Sequence, residues 1–178
     1  VGIIRISGNY NSEFTGDVVI NRKDSRLYLG KRGGAIAVRS NIYVRNGGVA
    51  GIELSHQIAD TSTVTLQGEG STFSLNDVGY ALSEKFRTLK VEGKGRVLFN
   101  RKIADYYAKT LILDDLIVGE RNTLSVDGWN ADLDLFLVSK SSSHVRDALK
   151  RIKFKGPNRQ IVELREYNKD YWKLYASP

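Results

Sequence analysis

The sequence predicts an all-β coil, a β-helix whose turns stack on one another, with a short helix and a β-hairpin closing its C-terminal end. Three observations carry this. First, aliphatic–x–aliphatic triplets return at a near-constant interval. One series ends at Ile20, Val44, Leu66, Val91 and Val118, and a second at Leu29, Leu54, Leu75, Phe99 and Val126. The steps are 24, 22, 25 and 27 residues in the first series and 25, 21, 24 and 27 in the second. Two interleaved strands, each returning after one turn, are the pattern of a solenoid. Second, the triplets alternate apolar and polar residues, so each strand buries one face and wets the other. Third, the two prolines, Pro157 and Pro178, both fall outside the repeat. Strands hydrogen-bonded along both edges exclude proline in this way.

In chain order, the strand signals begin with Ile4-Arg5-Ile6, Val18-Val19-Ile20, Leu27-Tyr28-Leu29, Ile36-Ala37-Val38 and Ile42-Tyr43-Val44. They continue through Ile52-Glu53-Leu54, Val64-Thr65-Leu66, Phe73-Ser74-Leu75, Leu89-Lys90-Val91, Leu111-Ile112-Leu113 and Leu124-Ser125-Val126. Glycine-rich turns separate them at Gly33-Gly34, Asn46-Gly47-Gly48, Gly68-Glu69-Gly70 and Gly93-Lys94-Gly95, where sharp corners call for positive φ. Many short strands also suit a sandwich or barrel. The fixed period and the repeated residue class at interior positions favour the coil.

The pattern changes after residue 128, which divides the domain into a repeat region, 1–128, and a capping segment, 129–178. Val145, Ala148, Leu149 and Ile152 mark one face of a short helix, with Ser142 or Ser143 as N-cap and Lys150-Arg151 near its C-terminal dipole. The strand Ile152-Lys153-Phe154, the turn Gly156-Pro157-Asn158, a strand over 161–167 and the aromatic run Tyr171-Trp172-Lys173-Leu174-Tyr175 follow. A solenoid end exposes unpaired strand edges, so a non-repeating cap is expected there, with Trp129 sealing it and the Tyr171–Tyr175 segment open to either sealing the end or contacting a sugar or another subunit.

Composition bounds the setting. A chain of 178 residues, 41% hydrophobic and 26% charged, is one folded domain. No apolar run reaches the roughly 20 residues of a membrane-spanning helix. The absence of Met, at position 1 included, reads as a processed product or a fragment whose targeting signal lay upstream. With no cysteine there are no disulfides, and the composition suits export across a Gram-negative envelope. The net charge of +7, from 27 Lys and Arg against 20 Asp and Glu, fits a soluble protein with a basic bias and leaves open a surface that binds polyanions. Basic residues concentrate in the last third, giving a basic C-terminal face.

Several segments resemble a known family. Gly2-Ile3-Ile4-Arg5-Ile6-Ser7-Gly8-Asn9-Tyr10 running to Phe14-Thr15-Gly16-Asp17-Val18-Val19-Ile20 is similar to the autotransporter-associated (passenger-associated) β-strand repeat. Gly51-Ile52-Glu53-Leu54, then Gln57-Ile58-Ala59-Asp60 through Leu66 and Ser71-Thr72-Phe73-Ser74-Leu75-Asn76, resembles a second hallmark of such proteins. Leu124-Ser125-Val126-Asp127-Gly128-Trp129-Asn130 and Ile152-Lys153-Phe154 are similar to their closing segment. The resemblance implies a right-handed, single-stranded β-helix, secreted or displayed on the surface of a Gram-negative-type cell, with no enzymatic activity in the repeat. The chain departs from the pattern in the stretched spacing after Tyr10 and in the long charged loop Asn100–Lys109. No membrane barrel follows the repeat in this sequence.

Candidate chemistry is sparse. Adjacent Asp114 and Asp115 would point to opposite faces of a strand, whereas Asp132 and Asp134 could share one. His56 and His144 have no Cys or neighbouring His to form a metal site or triad. No catalytic, cofactor or metal residue is assigned. The candidate interaction surface is Arg151, Lys153, Lys155, Arg159, Tyr171, Trp172 and Tyr175. The expected function is a non-enzymatic extracellular structural element: a stalk, an adhesin passenger, or a subunit of a self-associating surface assembly or filament. Its partners would be other copies or neighbouring domains of a longer precursor, joined at an N-terminal edge that lacks a cap. The alternative is a module that binds acidic polysaccharide through the basic C-terminal face. Nucleic acid is not the expected polyanion.

Overall fold

A computed structural model describes residues 2–76, 78–101, 106–155 and 161–177. It is a β-solenoid of about six turns, with one short helix near the C-terminus. The strands are β1 (Ile3–Gly8), β2 (Val18–Ile20), β3 (Arg26–Lys31), β4 (Ile42–Arg45), β5 (Val49–Ile52) and β6 (Thr63–Leu75). They continue with β7 (Leu82–Phe99), β8 (Lys109–Val118), β9 (Thr123–Asp127), β10 (Leu135–Ser139), β11 (Ile152–Phe154), β12 (Ile161–Glu166) and β13 (Tyr171–Ser177). The helix α1 (Val145–Ala148) lies between β10 and β11 and runs into a single 3₁₀ turn, Leu149–Arg151.

Each turn contributes to three parallel ladders, where the triplet spacing predicts two. The first ladder stacks β2, β4, residues 63–69 of β6, residues 88–94 of β7 and the end of β8. Its register pairs Ile20 with Val44, Val44 with Leu66, Leu66 with Val91 and Val91 with Val118, the same residues that end the first triplet series. The second ladder stacks β1, β3, β5, the end of β6, the end of β7, β9 and β11. Here the triplet series slips. Leu29 pairs with Ile52, which pairs with Leu75, so Leu54 is two residues out of register and sits half-buried in the following bend. Val126 likewise pairs with Val97 and not with Phe99.

The third ladder begins as the single bridge Val38–Ile58 and broadens into residues 82–86 of β7, the start of β8, and β10. β7 and β8 each pass from the third ladder into the first without a break. At that corner the period-two alternation fails for two residues, Arg87-Thr88 in β7 and Asp114-Asp115 in β8, while Phe86, Leu89, Leu113 and Leu116 all stay buried. Asp114 and Asp115 therefore both lie outside the core, contrary to the expectation that they point to opposite faces.

Inward residues stack along the axis in columns. Phe73 and Phe86 meet edge to face at 5.2 Å between centroids. Toward the C-terminal end, Trp129 packs edge to face on both Phe99, at 5.1 Å, and Phe154, at 5.3 Å, which is how it seals the coil. Outward polar residues also stack across turns. Arg45 donates to Gln67, and Gln67 Nε2 donates to Glu92 at 2.6 Å.

Parallel stacking continues past residue 128, because β10 lies on β8 and β11 on β9. The cap starts at α1, which occupies the place of the next strand on the first ladder. Ser142 fastens this helix: its hydroxyl accepts from Val145 N at 3.2 Å and donates to Asp115, although His144 occupies the N-cap position proper. His144 Nδ1 lies 2.7 Å from Asp115 Oδ2. The third ladder is finished differently. β13 pairs antiparallel to β10, and β12 antiparallel to β13. Reversing the strand direction breaks the repeat and leaves an edge bearing Glu163, Arg165 and Glu166, charges that discourage further pairing. The predicted turn at residues 156–158 lies outside the described residues.

Glycine is required at the corner between the first and second ladders. Gly68 and Gly93 are register partners with φ of +78° and +154°. A Cβ at Gly93 would lie 2.4 Å from Gly68 O and 2.7 Å from Gly68 N, both backbone atoms that cannot rotate away. Gly93→Ala is expected to destabilise the domain by about 2 kcal/mol or more, combining unfavourable φ with the clash. Gly33→Ala, at positive φ but with open space around the Cβ, is expected to cost about 1 kcal/mol. Chemical unfolding of the two variants would check the difference.

Candidate functional site

The sequence-derived candidates are scattered by the fold. Asp132 is exposed in the turn before β10, whereas Asp134 is fully buried, so they do not share a face. The Asp134 carboxylate accepts from Lys109 N at 3.0 Å and Asn130 N at 2.8 Å, and is paired with Arg101. It closes the loop that leads into β10. Asp115 is spent on fastening α1. His56 sits at φ +59° in an exposed bend, distant in the fold from His144 on the cap. Among the described residues no three His, Cys, Asp or Glu side chains are grouped as metal ligands would be.

The basic–aromatic set does not form one face. Arg151 Nη1 donates to Val118 O at 3.1 Å and to Asp147 Oδ2 at 2.9 Å, so its guanidinium caps the open carbonyl of the first ladder. Lys153 is exposed on β11, in the second ladder, and Lys155 Nζ donates to Asp127 Oδ2 at 3.0 Å. Arg159 lies outside the described residues. Tyr171 and Tyr175 alternate with Trp172 along β13. Trp172 faces inward with Leu174 and is flanked by Lys140 and Arg146, at 4.8 and 5.4 Å from its centroid. Tyr175 is covered by Arg165, whose guanidinium carbon lies 3.5 Å from the ring centroid. Tyr171 projects to the opposite side of the strand from Trp172.

The strongest electrostatic feature is one that sequence reasoning missed. In the early turns the third ladder has too few strand residues to satisfy its own backbone, and buried side chains take over. Gln57, one of the residues in the family resemblance, is fully buried. Its Oε1 accepts from Lys31 N at 2.7 Å, and its Nε2 donates to Lys31 O at 3.0 Å and Ser55 O at 2.9 Å. One turn later Glu84 does the same: its two carboxylate oxygens accept from Gln57 N and Ile58 N, both at 2.9 Å. The only sequence signal is a polar residue at an inward position, Leu82-x-Glu84-x-Phe86.

Burial pushes the Glu84 carboxyl up to about 8, with Asp60 adding a little, against the downward pull of the backbone N–H donors. An acid whose pKa is raised in the folded state keeps its proton where the unfolded chain has lost it. Its stabilising contribution is therefore complete below the unfolded value of 4.5 and lost as pH rises toward about 8.

At the opposite end of the molecule, the first turn is open. Ile3 and Ile4 of β1 are 62% and 66% exposed and Val19 of β2 is 50% exposed, although Leu27, the register partner of Ile4, is buried. Between these strands lies an apolar cavity of about 300 Å³ lined by Ile4, Val18, Ile20 and Leu27 among others. β1 and β2 are paired on one edge only among the described residues.

Comparison with protein-family models, with curated proteins and with solved structures returned no match. The fold defines the chain as a β-solenoid.

The Glu84 assignment predicts that the unfolding free energy falls between pH 4.5 and about 8 and then levels off. Glu84→Gln is expected to flatten that slope. It is also expected to lower stability at pH 5 by about 1–3 kcal/mol, because its amide NH₂ would face a backbone donor. Denaturant titrations across this pH range would check both.

Proposed function

We propose that this chain is a non-enzymatic structural element of an exported, surface-displayed assembly, a stalk or passenger segment that self-associates through its N-terminal end. One observation carries the reading: the two ends of the coil are built differently. The C-terminal end is covered by α1, the inward Trp172 and an antiparallel hairpin with a charged edge. The N-terminal end presents interior aliphatic residues and one unpaired strand edge in each of β1 and β2. An exposed edge of this kind is a template for pairing, and an apolar patch beside it adds hydrophobic drive.

The partner is a second copy. Among the described residues the exposed aliphatic patch lies at the N-terminal end, with β11 the one strand of the other end's parallel ladders also paired on a single edge, so two copies meeting at β1 and β2 bury both patches. A filament made by stacking coils end to end would need two open ends, and the cap blocks one of them. Export and surface display rest on the cysteine-free sequence and on the resemblance around residues 51–76. The alternative, an acidic-polysaccharide module on the C-terminal face, has less to stand on. Arg151 and Lys155 are engaged within the cap, and Tyr175 is already stacked under Arg165.

Light scattering coupled to size separation is expected to give twice the chain mass at micromolar concentration. Ile4→Lys combined with Val19→Lys, which places charge at two exposed positions of the first turn and leaves the buried residues from Leu27 onward unchanged, is expected to give a monomer with an unchanged circular dichroism spectrum. A wild-type chain that stays monomeric at all concentrations would contradict the reading.

A further inference from the structure

A groove of about 600 Å³ runs along the outer face of the second ladder, lined by Arg5, Ser7, Asn9, Arg32, Glu53 and Tyr80 among others. We propose that this groove binds a uronic-acid unit of an acidic saccharide, through Arg32, Tyr80 and the Arg5–Glu53 pair.

The floor is built by register. Ser7 pairs with Gly30, and Glu53 N donates to Leu29 O at 2.8 Å, so Ser7, Gly30 and Glu53 follow one another up the ladder. Gly30 makes room for the Glu53 side chain, which lies over it: a Cβ there would stand 3.1 Å from Glu53 Oε2. The next column also needs a glycine, because the Tyr28 ring and the Asn76 amide close over Gly51, where a Cβ would be 2.7 Å from Tyr28 Cδ1 and 2.8 Å from Asn76 Nδ2. The result is a groove with the Glu53 carboxylate at its centre and other polar groups around it, within the volume range of small-ligand sites.

The walls are set in position. Arg5 grips Glu53 in a two-pronged contact, Nε to Oε2 at 2.9 Å and Nη2 to Oε1 at 2.8 Å. Tyr80 donates its hydroxyl to Glu53 O at 2.9 Å, which pins a ring that is nevertheless 42% exposed. The Tyr80 hydroxyl is held above the usual phenol range, by partial burial first and Glu53 second, so it remains a donor. Arg32 lines the same groove, is exposed, and makes no side-chain hydrogen bond or ion pair among the described residues. With Glu53 matched by Arg5, the groove has one uncompensated positive charge.

These features select the ligand class. A guanidinium fork without a partner suits a carboxylate, which it can hold in two parallel hydrogen bonds. The Glu53 carboxylate nearby disfavours a doubly charged phosphate but leaves lone pairs that accept from hydroxyl groups. Asn9 at the rim offers one donor group and one acceptor. The pinned Tyr80 ring provides a rigid flat surface for the apolar face of a sugar. One negative charge, several hydroxyls and a flat apolar face together describe a uronic acid. The groove shares β1 with the pairing edge proposed above, but it uses outward side chains of that strand whereas the pairing uses its free backbone edge and Ile4.

Calorimetric titration with tri-galacturonate and with a glucuronate-containing trisaccharide, each beside its methyl ester, tests the site. At least one acid is expected to bind, with its ester at least about tenfold weaker. Arg32→Ala and Tyr80→Ala should each weaken binding by about tenfold or more, Arg32→Lys by less, and Lys153→Ala on the C-terminal cap should have no effect. Inorganic phosphate should not compete at equal concentration. The proposal is overturned if neither acid binds, if a folded Arg32→Ala chain binds as well as wild type, if Lys153→Ala is the variant that loses binding, or if phosphate competes equally.

Discussion

Every strand in this molecule is held in place by the turn below it and the turn above it. The backbone hydrogen bonds run along the axis of the coil and not within a turn, so no turn can satisfy its own polar groups. The parallel register that results fixes which side chains stack. Ile20, Val44, Leu66, Val91 and Val118 form one interior column because the strands that carry them are paired residue for residue. The same register places Gly68 against Gly93, where nothing larger fits, and Ser7, Gly30 and Glu53 in a line across the groove.

Where the register runs short, buried polar side chains complete it. Gln57 and Glu84 each bond to backbone groups of the turn beneath, and Asp134 gathers the loop that enters β10. These groups would be costly to bury unpaired. They complete the backbone hydrogen bonding of the scaffold, and the raised pKa of Glu84 is a contribution to folding. The ends follow the same logic. At the C-terminus the unmet edges of the first and third ladders are covered by a helix and an antiparallel hairpin. At the N-terminus they face outward.

Much of this was legible in the sequence, and the exceptions have physical causes. The first ladder could be read directly because each of its strands is a triplet with a polar middle. The second could be read with a slip, because Leu54 continues the alternation of Ile52-Glu53-Leu54 past the point where β5 ends and the chain bends. The third was missed because its early rungs are one or two residues long, Val38 and Gln57-Ile58, too short to show a period. The helix was located correctly, and Ser142, one of the two expected capping residues, supplies the hydroxyl, although it stands two residues before the N-cap His144. The charged surface was the least legible part. Side chains that seem free in a list, such as Arg151 and Lys155, are bound to groups far away in sequence. The groove depends on residues 23 positions apart, on glycines whose absent side chains leave no motif, and on Tyr80 from a separate loop.

The central claim is that stability comes from stacking between neighbouring turns, with one end closed and the other open. Residue-resolved hydrogen exchange on the Ile4→Lys/Val19→Lys chain tests it most directly. Amides of β6, β7 and β8, flanked on both sides, should be the slowest, protection should persist through β10, which lies between β8 and β13, and β1 and β2 should exchange fastest. Uniform protection from β1 to β13, or a cap that opens before the first turn, would contradict the account.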